Sequence, residues 1–412
     1  MSTTTSDIYT APPQGAAPVA VTTRPQASVP YRLRRYLALD DFETVARKRL
    51  PRMIYGYVSG AVETGSALRQ AREAYHALAL VPRTLMDVSG RKHDATLFGR
   101  PYVAPFGIAP MGGAAMIAYR GDLTFAEAAG AFGVPYIQSA ASLTRLEDVR
   151  AANPQVWFQA YLPGDMSRIT PMITRVAAAG YETLVVTADT IVPGNRENNV
   201  RSGFSMPLRP TPRTAIDALL HPRWLFGTIA RTFMVRGNPH FENMDASRGP
   251  PMIARNVMRN FANRDQLAWR HIEAIRKQWK GNLVVKGLLS GGDTRKAREL
   301  GVDGVIASSH GGRQLDYAIG PLAALPEMAA EAGSMTMMID GGIRRGTDVL
   351  KALALGAKFV FVGRPFLYAA SIGGVPAVMH AMRLLTDEIN RDMALIGARN
   401  LGEITADMVR RA

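Results

Sequence analysis

The sequence predicts an α/β chain folded as a closed (β/α)8 barrel of the TIM type. Three observations predict it. From residue 104 onward, eight short apolar runs alternate with helix-length amphipathic segments. These units occupy about 250 residues once one insertion is set aside, the usual size of such a barrel. Polar residues stand at or just past the end of every run: Gly112, Ser139, Gln159 with Tyr161, Thr187 with Asp189, Lys286, His310 with Arg313, Asp340, and Gly363 with Arg364. A closed barrel gathers all its strand ends around one site, whereas an open doubly wound sheet uses mainly one crevice.

Residues 1–37 are expected to be a disordered tail. Up to about residue 30 they are rich in Ser, Thr, Ala and Pro, with Asp7 as the single acidic residue. The stretch 16–21 is too short and too Pro-broken for a signal-peptide core. Asp40 or Asp41 can cap a helix through Leu50, and Pro51 can open the next, which Tyr57 ends beside a Ser-Gly turn. The barrel domain is expected over 38–412. Its strands are expected at 106–111, 136–140, 156–162, 183–187, 283–289, 304–308, 336–339 and 359–362. A long basic insertion, about 202–263, separates the fourth strand from the fourth helix.

Composition narrows the function. Hydrophobic residues make up 47% of 412, enough for a large core, yet no apolar run approaches a membrane span. Cysteine is absent, which excludes disulfides, thiolate metal sites and a thiol nucleophile, and fits a reducing cytoplasm. No metal site is expected. The net charge of +15 can attract nucleic acid, an anionic membrane or anionic ligands. Aromatics are only 8% and do not interleave with basic residues, so nucleic acid is disfavoured.

Chemistry concentrates in three stretches. Ser308-Ser309-His310-Gly311-Gly312-Arg313 follows an apolar strand. It offers a base near neutral pH and a guanidinium fork that suits a carboxylate. Asp340-Gly341-Gly342-Ile343-Arg344-Arg345 follows the seventh strand, and Gly363-Arg364 the eighth. Glycine amides, helix starts and arginines at these two places form the usual phosphate site of such barrels. Lys286, ending strand five, would point into the mouth. It suits negative charge developing on a reduced flavin, or a Schiff base with a carbonyl substrate. The paired phosphate loops and His310 favour flavin mononucleotide (FMN).

Further stretches complete a pattern: Tyr57–Ala61, Pro82–Asp87, Ile108–Pro110, Gln159–Tyr161, Thr187–Asp189, Arg196-Glu197 and Lys286-Gly287. With Ser308–Asp316 and Asp340–Gly342, they resemble the FMN-dependent 2-hydroxy-acid oxidases and dehydrogenases over roughly residues 38 to 410. The resemblance implies His310 as the base, with Asp189 orienting it. It implies Arg313, Tyr57 and Arg196 on the substrate carboxylate and Tyr161 on the substrate oxygen. Lys286 would meet the flavin N1/O2 edge, and Pro110, Met111 and Gly112 would lie along the ring. Ser139, Gln159 and Thr187 would bond the ring's polar edge. Asp340, Gly341, Gly342, Arg344, Gly363 and Arg364 would hold the ribityl phosphate. A homotetramer is also implied.

Departures inform the substrate. Ala141 stands where glycolate oxidases carry a tryptophan, and Gly112 where they carry alanine; both match the mandelate dehydrogenase branch. The freed space favours a bulky or aromatic substituent, with L-lactate as the alternative. Ser309 replaces the family's usual asparagine. Residues 201–260 hold nine arginines, no lysine and three acidic residues around the apolar run 224–230. That composition suits an anionic membrane surface, or a basic lid or subunit contact. In the resembling branch the insertion binds membrane and electrons pass to a quinone; oxygen is the other acceptor. Rival readings are another phosphate-binding barrel, such as an isomerase, or a dead barrel used as a scaffold. An enzyme of the IMP dehydrogenase kind would need a cysteine nucleophile.

Overall fold

The computed structural model describes residues 29–253 and 263–412. Eight parallel strands form the central sheet: β1 (Phe106–Ile108), β2 (Ile137–Ser139), β3 (Trp157–Ala160), β4 (Thr183–Thr187), β5 (Asn282–Leu288), β6 (Gly304–Ala307), β7 (Thr336–Asp340) and β8 (Phe359–Val362). Each neighbours the next in chain order, and β8 pairs with β1. The ring closes between β1 and β2 through a single bridge, Ile108 to Tyr136, with the Ile108 amide donating to the Pro135 carbonyl at 2.9 Å. The barrel is thus the expected one, with strand ends trimmed or extended by a few residues. These strands are buried on both faces, which is why they read as continuous apolar runs.

Inward side chains fill the barrel. Trp157, Val185, Val284, Ile306, Met338, Phe359 and Phe361 form one cluster with Leu97 and Tyr102. Leu97 and Tyr102 belong to a hairpin, Ala95–Leu97 with Arg100–Tyr102, that packs on this end of the barrel core. Each such large side chain removed from water contributes about 1.5–3 kcal/mol. The larger core lies outside the strands, between them and the helices.

Three helices precede the barrel: α1 (Leu39–Arg49), α2 (Arg52–Ser59) and α3 (Ser66–His76). Ala38, not an aspartate, is the N-cap of α1; Asp41 reaches back from the first turn to accept from the Leu37 and Ala38 amides. Within the expected tail, residues 29–37 are described. Tyr31–Leu33 form a 3-10 turn, Leu33 and Tyr36 are buried, and the Tyr36 ring stacks on Phe42 at 4.6 Å. The rest of that tail, 1–28, lies outside the described residues.

Among its described residues the insertion carries helices at Pro212–Leu219, Pro222–Trp224 and Arg231–Arg236, with a wider π-turn at Leu225–Ala230. Its apolar run divides its faces. Trp224 is buried and donates from its indole N–H to the Met116 carbonyl at 2.8 Å, which ties the insertion to the barrel. Phe226, at 65% exposure, faces outward with Leu219, Leu220, Met234 and Val235. Its last part, 254–262 with Arg255 and Arg259, lies outside the described residues. Among the described residues no helix is long and apolar enough to cross a membrane.

Candidate active site

The carboxyl ends of the strands open into a cavity of ≈430 Å³. His310, just past β6, has a left-handed backbone (φ 54°), followed by Gly311 and Gly312 at φ 65° and 71°. Three such residues in a row turn the chain back across the barrel mouth. Gly312 is required there, because a Cβ would lie 2.6 Å from the Leu68 amide nitrogen. The turn aims the imidazole inward.

His310 Nδ1 lies 2.9 Å from Asp189 Oδ1, and Nε2 lies 3.3 Å from the Tyr161 hydroxyl. The carboxylate accepts, so the proton sits on Nδ1 and the lone pair of Nε2 faces the cavity. Burial holds the His310 pKa below the ordinary histidine value, helped by the Lys286 and Arg196 charges against the pull of Asp189. Burial would raise Asp189, but the imidazole and Lys286 outweigh it and keep the carboxyl below its ordinary value. Burial also keeps Tyr161 protonated, with its pKa raised. Gly287, at the bulge after Lys286, makes room for Asp189: a Cβ there would sit 2.6 Å from the carboxyl carbon.

Arg313 donates to the carbonyls of Tyr57 and Gly60, and its guanidinium carbon lies 5.0 Å from the Tyr57 ring centroid. Burial and the nearby Arg196 push its pKa down to about 9, still charged at neutral pH. A buried guanidinium flanked by another cation favours an anionic ligand. Arg196 donates to the Arg313 carbonyl and the Gln314 side chain. Tyr57 stacks on Phe204 at 4.2 Å and donates to the Gly112 carbonyl.

Lys286 pairs with Asp340 at 3.0 Å and donates to Ser308 Oγ at 2.7 Å. Burial works against its charge, yet Asp340 and Asp189 outweigh that and raise its pKa. Ser308 Oγ also accepts from the His310 amide, linking the lysine to the histidine turn. Ser139 donates to Gln159, which donates to Thr187, each at 2.8 Å. Gln159 and Thr187 line the cavity, while Ser139 and Asp189 stand one hydrogen bond behind it.

Gly341, Gly342, Arg344, Gly363 and Arg364 also line the wall. Arg344 meets Asp40 of α1 at 3.2 Å. Its neighbour Arg345 turns away to Glu388 at 2.9 Å, so only one of that arginine pair serves the cavity. Pro110, Met111, Gly112 and Ala141 line the same space, and a Cβ on Gly112 would lie 2.8 Å from that of Ala141. Sequence reasoning missed Thr190, Asn199, Met206 and Arg264, all cavity-lining. Of these, only Thr190 carried a signal, its place next to Asp189. Ser309 Oγ is buried without a hydrogen bond among the described residues, so it does not restore what an asparagine would offer.

FMN fits this donor set. The cavity lining offers two arginines and glycine turns that suit a phosphate, and Lys286 with the Gln159 and Thr187 side chains that suit the polar edge of a ring. Asp340 Oδ1 is a buried acceptor with no partner among the described residues, a place for a ligand hydroxyl.

Comparison with known proteins agrees. The FMN-dependent dehydrogenase family matches residues 46–411. A putative L-lactate dehydrogenase of Mycobacterium tuberculosis is 36% identical, covering 94% of this chain and 93% of that one. An L-lactate dehydrogenase of Azorhizobium caulinodans is 38% identical, covering 89% and 97%. The crystal structure of the monotopic membrane protein (S)-mandelate dehydrogenase superposes with a TM-score of 0.82 at 32% identity, covering 92% and 100%. Fold, cavity and relatives converge: the chain belongs to the FMN-dependent dehydrogenases and is an oxidoreductase of the 2-hydroxy-acid dehydrogenase family.

Proposed function

We propose that this enzyme oxidises an (S)-2-hydroxy acid with a mandelate-like, bulky or aromatic side chain to the 2-keto acid. The observation that carries the reading is the meeting of His310 Nε2, the Tyr161 hydroxyl and the Arg313 guanidinium at one cavity. Arg313, with Tyr57 and Arg196, holds the substrate carboxylate. Tyr161 bonds the substrate oxygen. His310 accepts a proton at Nε2, and Asp189 stabilises the imidazolium that results. Bound FMN supplies the two-electron acceptor. Lys286 offsets negative charge at the ring edge, and Arg344 and Arg364 hold the phosphate. Positioning supplies about 7 kcal/mol and general base catalysis about 3–5 kcal/mol of the rate enhancement.

Ala141 supports the bulky side chain, since it lines the cavity with a methyl where the resembling glycolate oxidases carry an indole. The second reading is L-lactate as substrate, favoured by the names of the curated relatives. For the acceptor, a membrane quinone is preferred to oxygen. The outward apolar residues of the basic insertion and the membrane-bound mandelate dehydrogenase of similar fold support peripheral membrane attachment. Exposed Leu315, Tyr317 and Ile319 beside the site support self-association, in keeping with a homotetramer.

The deciding experiment is anaerobic bleaching of the flavin absorbance with a panel of (S)-2-hydroxy acids, followed by oxygen or a quinone. Faster bleaching by mandelate than by lactate, and faster recovery with quinone, support the reading. The reverse order assigns lactate or oxygen.

A further inference from the structure

Asp189 shares one oxygen between two donors. His310 Nδ1 lies 2.9 Å from Oδ1, and the Thr190 hydroxyl donates to the same atom at 3.0 Å. The other oxygen, Oδ2, is buried and accepts no hydrogen bond among the described residues. It lies against Gly287, where a Cβ would come within 2.7 Å of it. The carboxylate therefore meets both donors on one side. Thr190 Oγ1 also stands 3.4 Å from His310 Nδ1, so hydroxyl, carboxylate oxygen and imidazole form a triangle at the cavity wall that Thr190 lines. Gln314 Nε2 donates to the Asp189 carbonyl at 3.1 Å and holds the backbone of this pair in place.

A donor that stabilises an ionised carboxylate lowers its affinity for a further proton. The imidazole N–H is bound to that same oxygen, so the charge that Thr190 engages is withdrawn from His310. Burial raises the Asp189 carboxyl; the His310 and Lys286 charges lower it, and the Thr190 bond adds to the lowering. The 3.4 Å contact works the other way, since a hydroxyl oxygen beside Nδ1 favours an imidazolium. It lies at the outer limit of hydrogen-bond distance, whereas the 3.0 Å bond has a charged acceptor and outweighs it. The other groups around the imidazole come from separate elements: Tyr161 after β3, with Arg264 over its ring at 5.1 Å, Arg196 before the helix Glu197–Ser202, Lys286 on β5, and Arg313 in the same turn.

We propose that Thr190 is a positioning residue for the acid–base pair: its hydroxyl engages the oxygen that holds the imidazole N–H, limits the charge that Asp189 presents to His310, and so keeps Nε2 free to take a proton from substrate at neutral pH. This rests on the reading of His310 as the base with Asp189 behind it. Thr190 acts only through that carboxylate.

The test is the pH profile of kcat/KM for anaerobic flavin bleaching of the holoenzyme by (S)-mandelate, or by L-lactate where that acid is faster. Thr190→Val keeps the shape of the side chain and removes the donor. The inflection is expected to move up by about 0.5 in pH or more, the scale of one hydrogen bond felt through a shared atom. Thr190→Ser retains the hydroxyl and the parent's inflection. Thr190→Ala moves it in the same direction as Thr190→Val, which guards against a valine that disturbs packing. An inflection that stays or falls in either hydroxyl-free variant that retains FMN overturns the proposal, as does a serine variant that shifts as far as the valine one. Loss of FMN from both hydroxyl-free variants also overturns it, by assigning Thr190 to the fold. An inflection that moves downward in Asp189→Asn but not upward in Thr190→Val sinks the proposal alone. One that moves in neither sinks the pairing of His310 with Asp189 as well.

Discussion

Arg313 and Arg364 donate to the same acceptor, the carbonyl of Gly60, at 2.8 and 3.1 Å. Gly60 follows the last turn of α2, where the helix presents unsatisfied carbonyls and the negative end of its dipole. Arg364 also takes the Val58 carbonyl and Arg313 that of Tyr57. One helix end therefore fixes the arginine proposed for the substrate and the arginine proposed for the phosphate.

Gly60→Ala tests that shared support. A Cβ there would lie 2.4 Å from the Asn198 amide nitrogen and 2.6 Å from the Gly56 carbonyl oxygen. The helix end must shift. The expected result is a rise of about tenfold in both the substrate KM and the Kd of FMN, the scale of one weakened charged hydrogen bond. Steady-state kinetics and flavin fluorescence titration of apoprotein measure the two effects.

His310→Gln retains FMN but slows anaerobic flavin reduction by about 10²–10⁴-fold. In the parent enzyme the active form is the neutral imidazole, whose pKa lies below 6.5 because of burial and the neighbouring cations. kcat/KM therefore rises with pH through that lowered value and is flat across neutrality. Asp189→Asn removes an upward pull, so the inflection moves to lower pH while the plateau falls. An inflection that moves upward contradicts this assignment.

Ala141→Trp places an indole at the cavity wall that Ala141 lines. The ratio of kcat/KM for mandelate over lactate is expected to drop by about tenfold or more, since pockets discriminate by that factor per displaced methylene or two. Equal losses for both acids would show that Ala141 does not face the side chain.

Asp316 holds the start of α3, accepting from the Thr64 and Ala67 amides. Burial works against its charge, yet these bonds and that of the Thr64 hydroxyl lower its pKa to about 2 from the ordinary 3.8. A depressed carboxyl stabilises the fold fully above its unfolded pKa, and that contribution is lost as pH falls from about 4 toward 2. Asp316→Asn should cost stability at pH 7 and progressively less at pH 3, as urea unfolding at each pH will show.

Phe226→Glu with Met234→Glu should reduce co-sedimentation with anionic vesicles by about tenfold or more, since each inserted side chain is worth about 1.5–3 kcal/mol. Raising the salt should weaken the parent's binding as well, through the insertion's arginines. Binding indifferent to both would assign the exposed face to another partner.

The barrel was legible because its strands are covered on both sides and so appear as unbroken apolar runs with polar ends. The site residues were legible because closure of the ring forces those ends together. Contacts between distant segments were not. Asp40 on Arg344 and Glu388 on Arg345 join residues with no shared pattern. Phe204 lies in the insertion, whose chain follows no barrel period. Leu33 and Tyr36 pack inward as isolated apolar residues, too few to signal their burial in the sequence.

Seven seams of the ring are ladders of three to five residue pairs, and the eighth is one bridge, Ile108 to Tyr136. Gly112 and Ala141 stand just beyond its two sides, with Gly113 donating to the Ala141 carbonyl at 2.9 Å. Volume can be traded between these two positions with few ladder bonds at stake. Selection for a new hydroxy acid thus meets its least mechanical resistance at the seam held by a single bridge.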